Sequence, residues 1–196
     1  CATSDLVSMF GEGDIRNNLY YKNENDNFTS KYSGKAGAVP YETNVPIIRL
    51  SEMYLNRAEA YAHLNNENGA LADLNEIIDH RIDYDVAASK GFSPSDYHLT
   101  KADIKTNLVD LVLTQKRVEL AFEGFRFYDL VRNKKDIVRN YWGFHTNYVN
   151  GQSSGLVPGL SAPGVVTKYD YGRLVCPIPQ QEILNNPVCT QNEAYK

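Results

Sequence analysis

The sequence predicts a mainly α-helical protein, in which helix hairpins pack with irregular, loop-rich regions and a few short strands. Three observations predict it. Apolar residues recur at helical spacing over 46–82 and again over 100–134. A short polar break interrupts the first stretch, and a glycine interrupts the second. The flanks, 1–45 and 135–196, are dense in Gly, Asn, Ser and Pro and carry no such period. The chain has 196 residues, which suits one domain or a large part of one and is enough to bury a real core.

Residues 1–45 read as irregular, with short strands expected around Tyr20 and Tyr32. The run "NENDN" lacks the spacing and terminal Glu of a calcium loop, so it reads as solvated turn. From 46 to 82 a helix hairpin is expected. In "VPIIRLSEMYLNRAEAYAHLNN", Ile47, Leu50, Tyr54, Ala58 and Tyr61 fall at helical spacing; "NNENG" supplies the turn. In "ALADLNEIIDHRI", Leu71, Leu74, Ile77 and Ile78 share a face. The order A-E-A-Y…A-L-A-D-L-N is similar to one tetratricopeptide unit, whose period is about 34 residues. The hairpins are therefore expected to be tetratricopeptide-like. One copy alone cannot bury its apolar face.

The segment 100–134 reads as a kinked helix pair. Thr100 with Asp103 three residues on is a capping box in its Asp form. The helix is expected to run through Ile104, Leu108, Leu111, Val118 and Phe122 until Gly124 ends or kinks it, with a short helix from 125 to 133 beyond. Residues 135–196 form a loop-rich region and tail, with a helix turn expected near Ile178–Leu184.

Lys plus Arg number 20 and Asp plus Glu 24, a formal net charge of -4. No basic face is concentrated anywhere, so nucleic acid is not an expected partner. No apolar run reaches the length of a membrane-spanning helix. The three cysteines, Cys1, Cys176 and Cys189, form no C-x-x-C, and His63, His80, His98 and His145 are dispersed. No metal site and no cofactor is expected. A Cys176–Cys189 disulfide would suit an exported protein, but spacing alone does not establish it, and isolated thiols are the preferred reading.

Glu119 and Glu123 sit one helical turn apart. Paired carboxylates serve as acid and base in glycoside hydrolysis. Like charges at this spacing repel, however, and arginines surround them. The preferred reading is a structural ion-pair network completed by Arg49, Arg57 and Arg126, with no catalytic residue. Gly151-Gln152-Ser153-Ser154-Gly155 matches the letters of a nucleophile elbow, but prolines follow it and every histidine precedes Ser153. It reads as coincidence. The best binding candidate is "NYWGFHTNY", where Tyr141, Trp142 and Tyr148 are candidate ligand-binding residues: sugar C–H faces pack on aromatic rings. The bland alternative is a loop pinned to the core by its rings.

Taken together, "PIIRLSEMYLNRAEAYAHL", "LTQKRVELAFEGFRFYDLVR" and "PIPQQEILNNPVCTQNEAY" resemble blocks of the SusD/RagB family of outer-membrane nutrient-binding lipoproteins, in the same order. The chain departs at Ala194, where the family usually has glycine, and at Val118, where a charge is common. The resemblance implies a non-catalytic protein that binds an oligosaccharide or other nutrient at the outer-membrane surface. It further implies hand-over to a TonB-dependent, SusC-like transporter. It also implies that this chain is the C-terminal portion of a longer, lipid-anchored protein, with Cys1 a point of truncation and not the lipidated residue. No ligand residue carries over; Glu119, Glu123, Arg126 and Asp129 look like fold determinants. The rivals are a tetratricopeptide-type scaffold that binds only protein, and a glycoside hydrolase using Glu119 and Glu123.

Overall fold

The computed structural model describes residues 4–23, 26–32, 47–139, 146–149, 152–156, 165–167, 169–174, 176–186 and 188–195. The fold is mainly α. The chain divides into two compact units, 1–126 and 127–196.

The first unit opens with a short helix, α1 (Ser4–Val7), a 3-10 turn over Ile15–Leu19, and a hairpin of β1 (Tyr20–Asn23) and β2 (Asp26–Thr29). Of the two tyrosines expected near strands, Tyr20 begins β1, whereas Tyr32 follows β2. The helix hairpin comes next, as α2 (Leu50–His63) and α3 (Glu67–Asp79). Its connection is a tight polar turn: Asn65 takes a φ of 56°, and the Asn66 side chain accepts from the Gly69 N–H at 3.0 Å, capping α3. Asn tolerates this left-handed geometry better than most side chains.

The face of α2 matches expectation in part. Ala58 is buried, and Tyr54 and Tyr61 pack against the core, but Ile47 and Leu50 are 87 % and 72 % exposed, and the helix also buries Ser51, Leu55, Glu59 and Ala62. Ile47 precedes the helix, so its spacing to Leu50 and Tyr54 has no helical meaning. The face of α3 is as expected, with Leu71, Leu74, Ile77 and Ile78 all buried, together with Ala70 and Asp73.

A short helix, α4 (Tyr84–Ser89), and two 3-10 turns lead to α5 (Leu108–Glu119). The Thr100–Asp103 capping box forms, but it caps only the 3-10 turn Lys101–Asp103. The long helix begins four residues later than Ile104, under its own cap: Asn107 accepts from the Asp110 N–H at 2.8 Å. Asn107→Ala is therefore expected to cost about 1 kcal/mol, and Thr100→Ala less, because only the former frees a donor of a long helix. Melting temperatures in the reverse order would contradict this assignment.

The main core lies where α2, α3 and α5 meet. Leu55, Ala58 and Ala62 interlock with Ala70, Leu74 and Ile77 and with Leu108, Val112 and Leu120. Leu55, Leu74 and Val112 are wholly buried. Each large side chain of this kind contributes about 1.5–3 kcal/mol. The three alanines allow close helix approach. A smaller cluster joins Leu6 and Val118 with Phe10 and Tyr20 packed on them; another joins Ile78, Ile82 and Ala87.

Helix α5 stops at Glu119, before Phe122, which had been expected inside it. Phe122 and Gly124 take φ of 65° and 84°, and α6 (Phe125–Arg132) starts immediately after. A Cβ on Gly124 would meet nothing, so glycine is required there by its backbone angle and not by crowding.

The second unit holds two antiparallel pairs, β3 (Ile137–Arg139) with β6 (Val165–Thr167) and β4 (Thr146–Val149) with β5 (Gln152–Leu156). Two short helices, α7 (Tyr171–Leu174) and α8 (Gln180–Asn185), follow. The tail is tied back by amides. Gln191 accepts from the Ile178 N–H at 3.1 Å and donates to its carbonyl at 2.9 Å, while Asn192 donates to the Gly172 carbonyl at 2.8 Å. A side chain on Gly172 would stand 2.8 Å from the Ala194 Cβ, so the alanine in the tail leaves no room for anything larger than glycine at 172. Cys176 and Cys189 are free thiols.

Candidate functional site

The most heavily charged part of the first unit gathers at the C-terminal end of α5. Four uncapped carbonyls end any α-helix, and its dipole is negative there, so cations are favoured. Here they arrive from distant segments. Glu119 is 4 % exposed and receives three guanidinium groups. Arg81 donates to its Oε1 at 2.7 Å through Nη2 and to both oxygens through Nε. Arg49 Nη1 donates to Oε1 at 2.7 Å, and Arg16 Nη1 to Oε2 at 3.2 Å.

Glu123 joins the same assembly. Arg49 grips it bidentately, at 2.9 Å and 2.8 Å, and Lys31 pairs with it as well. The backbone is served too: Arg49 Nη2 donates to the Glu119 carbonyl at 2.8 Å, and Lys31 Nζ to the carbonyls of Glu119 and Ala121. Asp14 holds Arg16 through Nε at 2.9 Å and Nη2 at 2.6 Å. Burial alone would raise the Glu119 carboxyl. The hydrogen bonds and charge of Arg81, then of Arg49, outweigh it and hold the group at about 2, well below its ordinary 4.5.

This is the geometry of structural ion pairing. Both Glu119 oxygens are saturated with cationic donors, which leaves no lone carboxyl to carry a proton for glycoside hydrolysis. Of the three arginines expected to complete the network, Arg49 does so. Arg57 does not: it pairs with Asp73 at 2.9 Å and 2.7 Å and lies over the Tyr54 ring. Arg126 donates to the Leu113 carbonyl at 3.1 Å. Asp129, in the second unit, is buried and pairs with Arg132 at 2.6 Å. Arg16, Lys31 and Arg81 were not foreseen. They lie 103, 88 and 38 residues from Glu119, and no local spacing signals such pairings.

Among the aromatic candidates, Tyr141 and Trp142 lie outside the described residues. The backbone of Tyr148 lies in β4, opposite Ser153. Ser153 thus belongs to a β-hairpin strand and not to the strand-to-helix turn of a nucleophile elbow. Among the described residues no group of three or more His, Cys, Asp or Glu is placed to hold a metal ion. None of their helices is long and apolar enough to cross a membrane.

The stretch "RVELAFEGFR" carries both glutamates of the charge centre. A model of the SusD family matches residues 12–195. The chain belongs to the SusD family. The starch-binding protein SusD of Bacteroides thetaiotaomicron is 31 % identical over 157 residues, covering 79 % of this chain and 22 % of that protein. SusD-like protein P38 of Formosa agariphila is 28 % identical over 154 residues, covering 79 % of this chain and 25 % of its own length. The chain thus spans a quarter or less of these two SusD relatives. A crystal structure of a SusD superfamily protein from Bacteroides thetaiotaomicron superposes over 96 % of this chain and 39 % of its own, with 29 % identity and a TM-score of 0.60.

Proposed function

We propose that this chain is part of a non-catalytic protein that captures glycan at the outer-membrane surface and passes it to a TonB-dependent, SusC-like transporter. Its attachment there would be by a lipid anchor. Membership of the SusD family carries the reading, and the likeness to a relative named for starch binding supports the ligand class. The saturated Glu119–Glu123 centre is consistent with binding without hydrolysis. In this view the tetratricopeptide-like hairpin of α2 and α3 is scaffold. Capture falls to the 140–148 segment, with Tyr141, Trp142 and Tyr148 as a platform for sugar C–H faces.

Calorimetric titration with a panel of neutral oligosaccharides tests this. One or more is expected to bind, and Trp142→Ala to weaken it about tenfold or more, as loss of a central tryptophan does at other binding surfaces. Unchanged affinity in Trp142→Ala would remove the platform. Co-purification with a barrel protein and no response to any glycan would favour the protein-only scaffold.

A further inference from the structure

We infer that the charge centre opens onto an anion-accepting pocket suited to the carboxylate or sulfate of an acidic sugar. The sugar part of this statement rests on the glycan reading above; the charge preference rests on the pocket alone. The pocket has a volume of about 260 Å3, and its walls include Arg16, Leu19, Tyr20, Lys31, Arg49 and Arg81. That is slightly below the ~300–1,000 Å3 of pockets that enclose a drug-sized ligand, so it takes one small unit or a terminal group.

The charge does not close. Among the described residues Arg16, Lys31, Arg49 and Arg81 pair with Asp14, Glu119 and Glu123, one positive charge in excess. Asp14 is matched to Arg16, and Glu123 to Lys31 and Arg49. Among the described residues Arg81 pairs with no carboxylate but Glu119, which it shares with Arg16 and Arg49. The Arg16 and Arg81 side chains are 11 % and 24 % exposed, so their field acts through a partly dry wall and is focused into the opening.

Donors are in excess as well. Every N–H of Arg49 meets an acceptor: Glu123 twice, Ser51, and the carboxylate and carbonyl of Glu119. Lys31 has three acceptors for its three hydrogens. Arg16 and Arg81 differ. Among the described residues each terminal nitrogen of these two meets one acceptor and carries two hydrogens, so each guanidinium keeps two N–H groups there. Tyr20 lines the same space, and among the described residues its hydroxyl has no partner. The Glu119 oxygens are already saturated. The walls therefore offer N–H and O–H donors, and a guanidinium edge matches a carboxylate or sulfate bidentately. Leu19, Val118 and the Tyr20 ring supply apolar wall for a sugar's C–H groups.

Calorimetry of the chain at low ionic strength with glucuronate, glucose and sodium sulfate tests the inference. Glucuronate is expected to bind about tenfold or more tightly than glucose, and sulfate to compete with it. Leu19→Trp fills the pocket without touching an ion pair, and is expected to abolish glucuronate binding at an unchanged melting temperature. Should that variant fail to fold, Tyr20→Phe keeps the ring and removes only the donor; it is expected to weaken glucuronate several-fold. Glucuronate no tighter than glucose, or indifferent to both variants, would overturn the pocket. Neutral oligosaccharides that bind through Trp142 but not through Leu19, with glucuronate silent, would sink the pocket and leave the glycan reading standing.

Discussion

Glu119→Gln is expected to destabilise the chain by about 3–5 kcal/mol, the range for breaking a buried ion pair from one side. The replacement is nearly isosteric, so packing is preserved and electrostatics decide. Its amide brings N–H donors against guanidinium groups that are themselves donors, and it leaves Arg16, Arg49 and Arg81 facing one another with their shared counter-charge removed. Urea denaturation measures the cost; a loss below about 1 kcal/mol would show that the centre contributes little. Acid should reproduce the effect. The Glu119 carboxyl sits at about 2 in the folded chain against an ordinary 4.5. Because the folded value is the lower one, its contribution is complete above about 4.5 and disappears as pH falls through that value toward about 2. The difference corresponds to about 3 kcal/mol. The wild-type chain should therefore lose stability steeply in this window, and Glu119→Gln should lose about that much less. Parallel pH profiles for the two would contradict the assignment.

Lys116→Met is the second large effect, and it lies inside the helical layer. Lys116 Nζ meets Glu59 Oε2 at 2.6 Å, with side-chain exposures of 2 % and 7 %. Water cannot solvate either group well, so removing the cation leaves a carboxylate with no compensating charge from that lysine. A cost of about 3–5 kcal/mol follows. The diagnostic is the double change Lys116→Met with Glu59→Leu, which replaces both charges with apolar volume. It should recover most of the loss, because a buried ion pair and a well-packed apolar pair are often nearly equivalent in stability. A double variant as unstable as the single one would mean that the lysine stem, and not its charge, holds the layer.

These two centres also show what the sequence revealed and what it did not. The α3 face was legible because Leu71, Leu74, Ile77 and Ile78 are apolar and lie wholly within the helix. The α2 face is legible at Tyr54, Ala58 and Tyr61 and obscured elsewhere for two physical reasons. Ile47 lies before the helix, and the buried side contains Ser51 and Glu59, which a period of apolar letters treats as solvent-facing. Glu59 is buried against a lysine 57 residues away in sequence, which reaches it. At the charge centre, Arg49 was legible as a cation on a neighbouring segment. Arg57 pairs with Asp73 on α3. Arg16, Lys31 and Arg81 sit in a 3-10 turn, after a hairpin and beyond a helix end, where local pattern says nothing about which carboxylate they meet. The helix stop near Gly124 was legible from the glycine, though five residues past the true end at Glu119.

The charge centre has a consequence for the order in which the chain folds. Its contacts close spans of 38, 70, 88 and 103 residues onto one helix end. The entropy of closing those spans is lost before any of the ion pairs forms, whereas α2 and α3 meet across a short turn. The hairpin can therefore assemble early and locally. The end of α5 must wait for the rest of the chain to arrive, which makes it a late checkpoint on whether all four distant strands of sequence have found their places.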